Sequence, residues 1–86
     1  MPREQVDGTV TVRYWAGARA AAGVDQDVVA DCATVGDAIT AVARLRPALT
    51  PIAAVSTLLL DGRAARRDDP LVPGSVVEVL PPFAGG

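Results

Sequence analysis

Hydrophobic and polar positions alternate through Thr9-Val10-Thr11-Val12-Arg13-Tyr14-Trp15, with Val10, Val12 and Tyr14 on one face and Thr9, Thr11 and Arg13 on the other. A period of two over β-branched and aromatic residues predicts a half-buried strand. Ala16 to Ala22 is alanine-rich with Gly17 and Gly23 near its ends, and reads as a loop holding at most one helical turn. Asp25 to Ala30 reads as a second strand returning beside the first. The period then changes. Val35, Ala38, Ile39, Val42 and Leu45 recur at helical spacing behind Thr34, whose side chain can cap the first turn, and Asp37 three residues later supplies the reciprocal carboxylate. Pro47 disfavours helix at Arg46 and ends the element. Ala48 to Ser56 reads as a proline-bounded connection with at most another short turn at Ile52-Ala53-Ala54-Val55. Thr57 to Leu60 is a short buried strand, Asp61-Gly62 a tight turn, and Arg63 to Arg67 a polar return strand. Pro70 to Gly74 turns into the final strand, Ser75 to Leu80. One amphipathic helix between a hairpin and later strands predicts an α+β fold. Its four- to five-stranded mixed sheet packs on that helix, with Val35, Ile39 and Val42 buried against central strands carrying Val10, Val12, Val77 and Val79.

With 86 residues the chain predicts one domain: a loose leader over 1–8, a folded body over 9–80 and an extended tail over 81–86. Half of the residues are hydrophobic, but Tyr14, Trp15 and Phe83 are the only aromatics, so the core must be aliphatic. The net charge is −2. Arg66-Arg67, the densest basic stretch, is followed at once by Asp68-Asp69, a pattern that gives no support to nucleic-acid binding. No apolar run approaches the roughly 18 residues of a membrane helix, and Met1 to Gln5 lacks the apolar core of a signal peptide. A cytoplasmic protein with no membrane partner is the expectation. There is one cysteine, Cys32, and no histidine, which leaves no metal site and no Cys/His or Ser/His catalytic pair. Cys32 has no basic neighbour in sequence and reads as a small structural residue. Asp25/Asp27 and Asp68/Asp69 read as solvated charges.

With no catalytic constellation in the body, attention falls on Pro81-Pro82-Phe83-Ala84-Gly85-Gly86. Two prolines fix φ and favour extended geometry, projecting the tail from the end of the last strand. Six extended residues reach roughly 20 Å. Gly85 and Gly86 lack Cβ atoms and could thread a channel too narrow for other residues, delivering a carboxylate to a partner's active site.

Thr34-Val35-Gly36-Asp37-Ala38 opening the helix, Asp61-Gly62 in the hairpin, Leu71, Gly74 and Val77 around the last turn, and Pro81-Pro82 ahead of Gly85-Gly86 together resemble the MoaD/ThiS family of sulfur carriers. The resemblance spans about residues 9 to 86. It implies a ubiquitin-like β-grasp fold, and the proline pair is most similar to the molybdopterin-synthase branch. Ser75 departs from the aspartate common there, which implies a looser turn. The resemblance further implies that a ubiquitin-activating-type adenylating enzyme uses ATP to activate Gly86, and that a sulfur donor then converts the acyl-adenylate to a thiocarboxylate. No cofactor is expected on the chain itself. A molybdopterin synthase large subunit would receive the tail through Pro81, Pro82, Phe83, Ala84 and Gly85 and perform the catalysis. Carriers for thiamine or cysteine synthesis would share the Gly86 chemistry with another acceptor. A ubiquitin-like modifier would instead conjugate Gly86 to lysines of targets. All eight basic residues are arginines, so no ε-amine is available for self-conjugation. A noncatalytic module whose tail is gripped and never activated is a further alternative.

Overall fold

The computed structural model describes residues 8–82. Inward-facing Val10, Val12 and Tyr14 define β1 (Val10–Tyr14), followed by α1 (Ala16–Ala22), β2 (Gln26–Val29), α2 (Val35–Leu45), α3 (Leu49–Val55), β3 (Thr57–Leu60), β4 (Arg63–Ala65) and β5 (Val76–Leu80). The strands form one sheet in the order β2-β1-β5-β3-β4. β1 and β5 run parallel, with Val12 opposite Val77, and the other pairings are antiparallel. Four to five strands in a mixed sheet were expected and five are found, in the β-grasp arrangement that the resemblance implied.

α2 begins as its residues dictate. The Thr34 hydroxyl accepts from the Asp37 amide at 3.2 Å, and the Asp37 carboxylate accepts from the Thr34 amide at 3.1 Å, closing the capping box. Val35, Ala38, Ile39 and Val42 are buried, and Val10, Val12, Val77 and Val79 join them in the core. Leu45, expected to continue the stripe, is instead 58% exposed. At about 100° per residue, position 45 has rotated to the margin of the apolar face. Arg46 continues its centre.

Arg46 and Asp27 correct a second expectation. Asp25 does sit in solvent, in a 3.6 Å ion pair with exposed Arg19. Asp27, paired with Val12 in register, points to the helix side. Its carboxylate accepts from Arg46 Nε at 2.9 Å, Arg46 Nη2 at 2.7 Å and the Tyr14 hydroxyl at 2.6 Å. This network ties β1 and β2 to the end of α2. The Arg46 guanidinium, aided by Tyr14, holds the Asp27 carboxyl below the usual carboxylate range. Burial, then the neighbouring carboxylate, raises the Tyr14 phenol above its usual range.

A depressed carboxyl pKa contributes stability above the pKa of the unfolded aspartate, and that stability is lost as pH falls through the folded value. Asp27→Asn should therefore cost about 1.5–3 kcal/mol at neutral pH, the range for hydrogen bonds to a charged group. It should also flatten the acid limb of a stability–pH curve measured by urea denaturation. An acid limb unchanged by the substitution would mean that Asp27 titrates alike in the folded and unfolded chain.

Two further segments form more structure than the sequence suggested. Ala16–Ala22 is a helix, because alanine is the best helix former and Ala18 and Ala22 find buried sites. The Gly23 amide closes it on the Arg19 carbonyl at 2.9 Å. Leu49–Val55 is also a helix: Pro51 falls in its first turn, where a missing amide costs nothing, and Leu49 and Ala53 are buried. At the β3–β4 hairpin, Asp61 and Gly62 both have positive φ (49° and 86°), the signature of a two-residue primed turn. The Asp61 carboxylate accepts from the Val76 amide at 2.9 Å, pinning the hairpin to β5. Ser75 is buried, and its hydroxyl accepts from the Val72 amide at 3.2 Å. The serine thus makes a turn contact where a looser turn was expected.

Candidate functional site

β5 is the central strand, hydrogen-bonded to β1 on one side and β3 on the other, and it leads directly into Pro81 and Pro82. Because β1 is parallel to β5, the end of β1 lies beside the end of β5. β3 is antiparallel, so its first residue, Thr57, pairs with Leu80. The β1–α1 and α3–β3 junctions therefore flank the root of the tail. Pro81 is half-buried and Pro82 exposed. The remaining expected site residues, Phe83, Ala84, Gly85 and Gly86, lie outside the described residues.

Trp15 shapes this root. Its amide donates to the Val79 carbonyl at 3.2 Å, the last parallel rung before the tail, while its own carbonyl accepts from the Ala18 amide at 2.9 Å. One residue thus ends the strand and starts α1. The turn is tight enough to place Ala16 at φ 48°, a left-handed conformation uncommon for a residue with a Cβ. The indole is 41% exposed and donates from Nε1 to Glu78 Oε2 at 3.1 Å. The Arg13 guanidinium lies 5.3 Å from the ring centroid, within cation–π range.

Arg13 and Glu78 face each other across β1 and β5 on the sheet surface that α2 does not cover. Val76 and Leu80 of β5 share that surface by alternation, as do Leu59 of β3 and Val28 of β2, the last 60% exposed. The result is a mixed open face: Val28, Leu59, Val76 and Leu80 alternate with Thr11, Gln26 and Thr57 around the Arg13–Trp15–Glu78 group beside the tail root. A tryptophan and an arginine among aliphatic side chains match the composition of protein-binding hot spots. Sequence reading missed this placement of Trp15. The signal was present, since alternation from Thr9 puts position 15 on the polar face with Arg13.

The body offers little reactive chemistry. Among the described residues no group of three or more His, Cys, Asp or Glu side chains could hold a metal ion. Burial, then the Asp37 and Asp31 carboxylates, raise the Cys32 thiol above its usual range, so it stays protonated, donating to the Ala30 carbonyl at 3.3 Å. No helix among the described residues is long and apolar enough to cross a membrane.

Comparison with known proteins places the architecture among relatives. Residues 12–86 match the ThiS family. The chain is similar to SAMP1 from Haloferax volcanii at 27% identity and a TM-score of 0.85, over 92% of this chain and 100% of that one. It is similar to a protein from Pyrococcus furiosus described as molybdopterin converting factor, subunit 1, at 28% identity and a TM-score of 0.79, over 88% and 99% of the two chains. A complex of subunits 1 and 2 of molybdopterin-converting factor from Helicobacter pylori matches at 20% identity and a TM-score of 0.67, over 91% and 99%, a likeness of fold alone. No curated protein matches the chain.

Proposed function

The chain belongs to the ThiS family, and from that premise we propose that it carries sulfur as a thiocarboxylate on Gly86 for molybdopterin formation. Membership makes it a ThiS/MoaD-type sulfur carrier or a ubiquitin-like modifier. The observation that carries the finer reading is the tail root: a central strand running into Pro81-Pro82 beside the open face around Trp15.

A carboxylate is a poor acylating group. An adenylating partner of the ubiquitin-activating type lets the Gly86 carboxylate attack the α-phosphorus of ATP, forming an acyl-adenylate and releasing pyrophosphate. A sulfur donor displaces AMP, leaving sulfur where oxygen stood. In a molybdopterin synthase large subunit the threaded tail then holds that sulfur at the acceptor carbon, and transfer becomes effectively intramolecular, which in well-oriented systems lowers the barrier by about 7–11 kcal/mol. The proline pair reduces the ordering cost of threading. Phe83 supplies the large apolar group near the channel mouth. The chain provides address and reach; the partners provide catalysis and nucleotide.

The test is reconstitution of the thiocarboxylated protein with a molybdopterin synthase large subunit and pterin precursor, in parallel with a thiazole-synthase reaction. Sulfur should appear in the dithiolene of the pterin product. Sulfur found only in the thiazole would refute the molybdopterin assignment and keep the carrier chemistry.

A second reading, a protein modifier, is favoured by the similarity to SAMP1, a small archaeal modifier protein by name. With no lysine of its own, such a modifier could not build lysine-linked chains on itself. Its signature would be Gly86 joined by an isopeptide bond to lysines of other proteins.

A further inference from the structure

On the helical side of the molecule, a groove of about 410 Å³ runs between α2 and α3. Its apolar lining comes from Ile39 and Ala43 of α2 and Ala53 and Ala54 of α3, with Thr40 and Thr50 beside them, while Arg44 and Arg67 also line it and no acidic side chain among the described residues does. Neither arginine belongs to an ion pair among the described residues. Arg67 is set in place by its backbone: its carbonyl accepts from the Gly36 amide at 2.8 Å, and its Nη2 reaches the Ala53 carbonyl at 3.4 Å. A Cβ at position 36 would stand 3.1 Å from that Arg67 carbonyl, so glycine there permits the close approach. Asp31 and Asp37 border a separate hollow on the other flank of Arg44. Asp68 and Asp69 follow Arg67 in the chain, Asp68 in an ion pair with Arg66 and Asp69 accepting from the Arg66 amide, and neither lines the groove.

We propose that this groove docks an acidic amphipathic segment of a partner protein. An apolar side chain of the segment lies on the alanine and isoleucine floor, and carboxylates on either side pair with Arg44 and Arg67. Two guanidiniums outside any ion pair among the described residues, bordering an apolar floor, are complementary to that pattern, because arginine pairs carboxylates with directed, charge-assisted hydrogen bonds. A free small anion fits less well, since the groove is open and surrounds an ion with no buried donor. The acids at Asp31 and Asp37 repel the segment from the adjacent hollow and direct it toward α3. The groove lies on the face of the sheet opposite Arg13, Trp15 and Glu78, so a partner held here leaves the open face and the tail root uncovered. The docking site stands independently of the sulfur-carrier reading.

The test is backbone-amide NMR of the full chain titrated with a synthetic helical peptide of leucine and glutamate, its glutamine-for-glutamate twin, and inorganic phosphate. The glutamate peptide should give saturable shifts at Ala43, Arg44 and Ala54, and Arg44→Glu should weaken binding about tenfold or more, the effect of losing roughly 1.4 kcal/mol. Arg67→Glu should do the same. Arg44→Glu, on an exposed turn of α2, keeps the test valid should the Arg67 variant lose stability. Shifts centred on Trp15, no saturable shift at the groove, equal binding by the glutamine twin or undiminished binding by the Arg44 variant would each overturn the proposal. Saturation of the same amides by phosphate alone would assign the groove to a small anion and overturn it equally.

Discussion

Deleting Gly86, or adding one residue after it, should abolish ATP-dependent pyrophosphate release by the activating enzyme while leaving the melting temperature unchanged. The two halves of the result have separate causes. Among the described residues every buried core side chain lies between Val10 and Val79, so neither change touches that packing. The reacting group, however, moves by one residue, roughly 3.3–3.6 Å along an extended tail. Misplacing a reacting atom by about 1 Å can already cost about 10²-fold, so a residue's displacement should reduce adenylation at least that far. Undiminished pyrophosphate release from either variant would show that the Gly86 carboxylate is not the activated group.

Ile39→Ala should remove about 2–5 kcal/mol of stability, read as a lower denaturation midpoint at an unchanged denaturant slope. Ile39 is 3% exposed and lies between Val35 and Val42 on the face of α2 turned to the sheet, so truncating it removes methyl groups from the packed core. It also forms part of the groove floor between α2 and α3, so its loss loosens both helix contacts. Domains of this kind hold only about 5–15 kcal/mol in total. The substitution should therefore populate the unfolded chain measurably near physiological temperature. A negligible loss would mean that the helix does not depend on this site for its attachment.

Most of the sheet and the main helix were legible because each announces itself locally. Val10, Val12 and Tyr14 alternate with polar neighbours, and Thr34 and Asp37 carry the capping box in their spacing. The short helices were not legible. Ala16–Ala22 and Leu49–Val55 are each seven residues long, too short for a periodic stripe, and they persist through tertiary contacts of Ala18, Ala22, Leu49 and Ala53. Asp27 was misread for a related reason. On sequence it reads with Asp25 as a solvated charge, and only the β1–β2 register, together with Arg46 at the end of α2, turns it inward against Tyr14. In the candidate site, the tail could be read from its residues, but its surroundings could not. Arg13, Trp15 and Glu78 come together because β1 and β5 run parallel, a pairing between segments more than sixty positions apart that no local pattern encodes.

The central claim is that Gly86 carries sulfur, and the most direct measurement of it is the intact mass of the protein after incubation with a ubiquitin-activating-type enzyme, ATP and a sulfur source. The mass should rise by the exchange of one oxygen for one sulfur, with fragmentation placing that exchange at Gly86, and the change should disappear when ATP is withheld. An unaltered mass, or sulfur located on Cys32 in place of the tail, would contradict it.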